Sequence, residues 1–143
     1  MIQLKKLIIG LLLLVISLIN GQTIEIEKAK VTIEQNEIVF KVKGLVCSFC
    51  AQGLQKSLSK LDFIDKKKHK KGVYVDIENQ YTLVAIKKNV KVELDQAISA
   101  ITDAGYEVED IFHNPNGDKI ELFSMPPVDK IKSQQKQNKG DKK

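Results

Sequence analysis

Apolar residues recur along this chain in two different periods, and each change of period marks an element boundary. Ile38, Phe40 and Val42 alternate with Val39, Lys41 and Lys43, the pattern of a strand with one buried face. Ala51, Leu54, Leu58 and Leu61 then recur at helical spacing, while Gln52, Gln55, Lys56, Ser59 and Lys60 fall on the other side, which predicts a helix over 48–61. Val73, Val75 and Ile77 alternate with Tyr74, Asp76 and Glu78. With a turn at Asn79-Gln80 and a second strand over 81–86, they predict a hairpin. Leu94, Ala97, Ile98 and Ile101 predict a second helix, with Gly105 at its C-cap. A short strand over 108–112 follows, then the turn residues His113-Asn114-Pro115-Asn116-Gly117 and a brief strand over 120–123. Upstream, Ile24 and Ile26, then Val31 and Ile33, alternate with polar residues. They predict an extra edge hairpin before a turn at Gln35-Asn36-Glu37.

The ends differ from this body. Leu7 to Ile19 are almost all apolar, preceded by Lys5 and Lys6 and followed by Asn20-Gly21-Gln22. A basic start, a short apolar run and a small residue predict a secretory signal peptide cut after Gly21. The run is short for a membrane span, which needs roughly 20 residues; the alternative is an uncleaved anchor. No cysteine stands at the end of the leader, so a lipoprotein anchor is excluded, and the mature chain is expected to be secreted or periplasmic without stable membrane insertion. From Pro126 onward the Lys-, Gln- and Asp-rich sequence lacks the apolar residues for a core and is expected to be disordered. The expected divisions are 1–21 leader, 22–36 strand extension, 37–112 domain and 113–143 mostly disordered tail.

The formal charge of +5 over 143 residues sits in the leader and the tail. Residues 22–112 hold 14 Lys and 14 acids, so the body is neutral, and there is no Arg or Trp. Arg is the usual reader of bases and clamp for phosphates. With export added, the reading is no nucleic-acid partner. Lys66, Lys67, Lys68, His69, Lys70 and Lys71 form a basic run; such runs are most often solvated loops, and partner docking is the alternative. The flanking positive charges oppose His69 as a metal ligand.

Candidate chemistry gathers in Gly44-Leu45-Val46-Cys47-Ser48-Phe49-Cys50, where strand period gives way to helix period. The stretch holds both cysteines, in a strand-to-helix loop with Cys50 near the first turn. Helix N-termini offer unpaired N–H groups and the positive end of the dipole, which favour thiolate over thiol. Two soft sulfurs on one loop can close on a soft ion such as Cu(I), Hg(II) or Zn(II). They can also form a disulfide, so metal binding, redox chemistry and a structural crosslink all stay open. No Ser/His/Asp grouping, paired carboxylates or phosphate loop stands out, and no enzyme activity is expected.

The order strand, helix, strand, strand, helix, strand is that of the ferredoxin-like α+β arrangement, an antiparallel sheet with both helices on one face. With the Cys47–Cys50 loop after the first of these strands, with Val73-Tyr74-Val75-Asp76-Ile77-Glu78-Asn79, and with the block from Ala97 to Val108, the chain resembles the heavy-metal-associated domain family over about 37–111. That family includes copper chaperones, metal-binding modules of copper-transporting ATPases and the periplasmic mercuric-ion binding protein. The resemblance implies that Cys47 and Cys50 are the metal thiolates. It implies that Tyr106 matches an aromatic near the metal, and that Leu45 stands for an inward-packing Met. Val46 offers no carboxylate, which tilts the ion toward Cu(I), with Hg(II) next and Zn(II) possible. The implied partners are a metal ion and a metal-transporting ATPase or other envelope metalloprotein. The lysine loop is longer than usual for the family. Three readings follow: a secreted carrier of a soft metal, a thiol–disulfide oxidoreductase using the same cysteines, and a degenerate module that binds a protein.

Overall fold

The computed structural model describes residues 21–125, together with residues 1, 3–6 and 8–9. The tail expected from Pro126 and most of the apolar leader lie outside the described residues. Among the described residues, no helix is long and apolar enough to cross a membrane.

Nine elements form. They are β1 (Gln22–Ile26), β2 (Ala29–Ile33), β3 (Glu37–Lys43), α1 (Ser48–Leu58), β4 (Val73–Asp76), β5 (Tyr81–Ala85), α2 (Leu94–Asp103), β6 (Glu107–Asn114) and β7 (Glu121–Ser124). From β3 to β6 the order is the expected βαββαβ. The main sheet is antiparallel throughout, in the order β4-β5-β3-β6-β7. β3 is central because it carries apolar side chains toward both faces; the outer strands have less to bury.

One face receives both helices. Ile38, Phe40 and Val42 of β3, Val84 of β5 and Ile111 of β6 pack against Leu54 and Leu58 of α1 and Ala97 and Ile101 of α2. Burying each of the larger side chains is worth roughly 1.5–3 kcal/mol. α1 stops three residues earlier than its periodicity predicts. Ser59 caps it and is buried, its hydroxyl donating to Gln55 O at 2.7 Å, so Ser59 does not face water as expected.

The other face corrects the expected position of the N-terminal strands. β1 and β2 do not extend an edge of the sheet; they pair with each other as a separate two-stranded sheet. Ile26, Val31 and Ile33 lie over Val39, Tyr81 and Leu83, with Phe112 alongside. This cover explains why Val39 is fully buried although it alternates with the core-facing residues of β3. Lys41, on the same face, bridges Glu27 of the hairpin turn at 3.3 Å and Glu109 of β6 at 3.2 Å. The molecule therefore has three layers: helices, five-stranded sheet and hairpin.

Order also continues past the expected end of the domain. β6 runs through Asn114, whose side-chain amide donates to Ile33 O at 3.0 Å and whose Oδ1 accepts from Gly117 N at 2.7 Å. That turn aligns β7 beside β6, so residues 113–125 belong to the body of the molecule.

Candidate metal centre

β3 ends where Gly44 takes a left-handed backbone (φ 97°), a turn that glycine makes without steric cost. Leu45 then drops into the helix-side core, 1% exposed, and holds the loop down from beneath. Val46 and Phe49 point outward, 84% and 85% exposed. Cys47 is half-buried and Cys50 exposed. Cys47 is the N-cap of α1: its backbone is extended, its carbonyl accepts from Ala51 N at 3.0 Å, and its Sγ accepts from Cys50 N at 3.2 Å. Sulfur thus occupies the place where Ser or Asp oxygen usually satisfies a free helix N–H. The Cys47 and Cys50 sulfurs are joined as a disulfide, with Cα atoms 5.4 Å apart.

A residue that sequence reasoning treats only as part of a turn fixes this loop. Gln80, itself left-handed at φ 55°, reaches across from the β4–β5 hairpin. Its Oε1 accepts from Gly44 N at 3.1 Å and Leu45 N at 3.0 Å, while its Nε2 donates to Leu45 O and Ile77 O. Its own carbonyl accepts from Val42 N at 2.8 Å. One amide therefore satisfies both backbone groups of Leu45 just ahead of the cysteines. A hairpin tip beside a cysteine loop was the available signal; a side-chain contact across 35 positions is not visible in periodicity. Next to Gln80, the Tyr81 hydroxyl is pushed up to about 12 by burial and by the Asp76 carboxylate.

Tyr106 reaches the same end of the molecule. α2 closes with Gly105 at φ 92°, Gly105 N donating to Thr102 O at 2.9 Å and Tyr106 N to Ile101 O at 3.2 Å. This puts the Tyr106 ring, half-buried, over the start of the loop: a methyl placed on Gly44 would lie 3.8 Å from Tyr106 Cδ1. Leu45, Cys47, Cys50 and Tyr106 are thus brought together around one loop. The two histidines are elsewhere. His69 Nε2 lies 3.0 Å from Glu37 Oε1 at the start of β3, and His113 lies on β6 opposite Ile38. Among the described residues, no group of three or more His, Cys, Asp or Glu is placed to hold a metal.

No protein-family model matches the chain, and no curated protein matches it. The chain is similar to several solved structures. The CopZ metallochaperone is 26% identical over 50% of this chain and 97% of its own, with a TM-score of 0.43. A putative copper-ion-binding protein from Bacillus anthracis is 24% identical over 52% of this chain and 100% of its own, with a TM-score of 0.42. The yeast copper transporter domain Ccc2a is 22% identical over 55% of this chain and 96% of its own, with a TM-score of 0.44. From β3 to β6 the fold is ferredoxin-like, an antiparallel sheet with both helices on one face. The βαββαβ order, the helices on one face and a CxxC loop opening the first helix are its own features. To that fold this chain adds the hairpin layer, β7 and an ordered lysine loop.

Proposed function

We propose that this protein carries a soft metal ion, Cu(I) first, between the reduced sulfurs of Cys47 and Cys50, and passes it on by thiolate exchange. The observation that carries the reading is the loop itself. Both sulfurs sit at the exposed end of one clamped segment, close enough to share one atom, with the Cys50 N–H aimed at Cys47 Sγ. That N–H favours negative charge on sulfur once the pair is reduced. The donor set fits the ion. With two sulfurs and no further ligand grouped with them among the described residues, a two-coordinate ion suits the site better than one that requires four ligands.

Loading requires the disulfide to open. A dithiol reductant supplies two electrons and two protons, giving two thiols and its own disulfide; binding the ion then releases protons from the thiols. Leu45 and Gln80 hold the loop from below, and Tyr106 flanks its base. Val46 and Phe49 leave the ion approachable by the thiolates of a recipient such as a metal-transporting ATPase. The basic and apolar start of the sequence supports an exchange outside the cytoplasm, and no catalytic turnover is invoked.

The decisive experiment is a Cu(I) competition titration of the reduced chain 22–143 against a chromophoric chelator, with Zn(II) and Hg(II) in parallel. One tightly held Cu(I) per chain, lost in Cys47→Ser and in Cys50→Ser with folding intact, is the expected result. Full affinity in both single variants overturns the reading. The disulfide itself favours a second reading, a thiol–disulfide oxidoreductase. Catalysed insulin reduction by a chain that fails to hold Cu(I) would select it.

A further inference from the structure

The lysine-rich segment between α1 and β4 is a built loop. It closes through left-handed backbone at His69 (φ 48°), Lys71 (φ 55°) and Gly72 (φ 85°). Such a conformation is unfavourable for His and Lys unless the surroundings impose it. Here Glu37 imposes it. Its carboxylate, only 2% exposed, meets His69 Nε2 at 3.0 Å and Lys68 Nζ at 3.6 Å, and Lys68 also reaches Glu34 at 3.0 Å. The Gly72 N–H donates to Lys68 O at 2.7 Å, and Asp65 N and Gly72 O both bond to Ala85 of β5 at 2.8 Å. Lys68 and His69 are thereby spent on holding the loop in place.

The other lysines are left exposed around a groove of about 980 Å³. Lys66, Lys70 and Lys71 of the loop line it with Lys56 and Gly53 of α1 and Lys60 just beyond. No carboxylate lines it, and none of these five lysines makes an ion pair among the described residues. A methyl on Gly53 would meet nothing within 4 Å. Internal packing therefore does not require glycine in a helix that glycine weakens, and its bare backbone keeps the groove open.

The groove starts at Gln52 and Gly53, within a turn of Cys50, and its lysines lie further along α1 and in the loop. β3 runs from Glu37 to the cysteine loop and α1 runs back. Gln55 of α1 donates to Val73 O at 2.8 Å; Val73 pairs with Val84, and Val84 with Ile38 at the start of β3. The chain also enters the domain at this end, since Gln22 pairs with Ile33 and Ile33 O accepts from Asn114, the partner of Glu37. The apolar run from Leu7 to Ile19, with Lys5 and Lys6 before it, immediately precedes that entry.

The geometry points to this groove as a docking surface for an anionic membrane, with Lys56, Lys60, Lys66, Lys70 and Lys71 meeting lipid phosphates. Lysine ammonium groups suit phosphate as point charges, and their attraction to an anionic surface adds per residue and is screened by salt. The apolar run before Gln22, until it is cut, brings the chain to a bilayer, which favours a bilayer over an acidic protein. The inference stands independently of any metal.

The test uses the chain 22–143, tail included, sedimented with vesicles of phosphatidylglycerol mixed with phosphatidylcholine and with phosphatidylcholine alone. Binding only to the anionic vesicles, lost at high salt and displaced by inorganic tripolyphosphate, is expected. Each lysine contributes about five-fold, so K66Q/K70Q/K71Q should weaken partitioning roughly a hundred-fold. The lysines are exposed, so the variant keeps its fold by circular dichroism. Unchanged binding in the triple variant would assign adsorption to the tail and overturn the proposal. So would tripolyphosphate binding without vesicle binding, or preference for polyglutamate over vesicles.

Discussion

Gln80 shows how much one uncharged side chain can organise. Its amide meets two N–H donors and one carbonyl around Gly44 and Leu45, then one more carbonyl at Ile77. Gln80→Ala removes all four contacts. Each net hydrogen bond is worth about 1 kcal/mol, and the buried Leu45 groups are left without partners, so a loss of roughly 2–3 kcal/mol is expected in urea unfolding. A merely stabilising residue would stop there. A residue that positions the cysteines should also shift the Cys47–Cys50 reduction potential, measured against glutathione, while Gln80→Glu keeps half the clamp and shifts it less. An unchanged potential in Gln80→Ala would make the clamp structural only. Gly72 is a second single-residue constraint. A Cβ there would fall near Ile64 Cγ2, and 2.8 Å from Asp65 O, at a backbone φ of 85°. With both a clash and a strained backbone, Gly72→Ala is expected to cost more than about 3 kcal/mol, read as a lower urea midpoint.

At the level of elements, the helices and the four strands of the βαββαβ unit were legible from their helical and alternating apolar periods, although β3 and β5 bury both faces. The cysteine loop was legible because it falls where the two periods meet. The hairpin layer was legible as strands but not as a layer. Ile24, Ile26, Val31 and Ile33 alternate as strands do, yet the turn between β1 and β2 is Glu27-Lys28, with Glu27 left-handed at φ 51° and no glycine or asparagine to announce it. Alternation gives a buried face but not its partner. The clue was Val39, an apolar residue on the face of β3 otherwise marked by lysines. The same reasoning explains Gln80 and Glu37, whose polar side chains act on backbone or charge brought close only by folding. The hairpin is testable as an element. Ile33 is fully buried between it and the sheet, so Ile33→Ala should cost about 2–5 kcal/mol in urea unfolding. Because that layer lies on the far side of the sheet from α1, the Cys47–Cys50 reduction potential should stay unchanged. A shifted potential would couple the hairpin to the loop.

Across the whole molecule, four buried or paired groups shape the pH range of stability. Burial lowers His113 below its ordinary 6.5, against an opposing pull from Glu121. The unfolded chain then binds more protons than the folded one as pH falls below 6.5, so the stability gained by keeping His113 neutral is full above that value and is lost on acidification through the lower folded value. The alkaline side has the opposite sign. Tyr81 is raised from 10.0 to about 12, and Lys41 is raised above 10.5 by its hydrogen bonds to Glu109 and Glu27. Both keep a proton in the fold that the unfolded chain gives up, so stability holds below pH 10 and declines as pH rises toward 12. Tyr81 and Lys41 both join the hairpin face of the sheet, and Lys68, pulled down by burial but raised overall by Glu34 and Glu37, adds the lysine loop to the alkaline decline. Urea midpoints measured across pH should therefore form a plateau between about 6.5 and 10, with both ends falling. His113→Gln should flatten the acidic limb alone, and Tyr81→Phe should shallow the alkaline limb alone. Tyrosinate absorbance of the folded chain should show one of its three tyrosines titrating last, near pH 12. An acidic limb that survives His113→Gln would overturn its assignment to that residue.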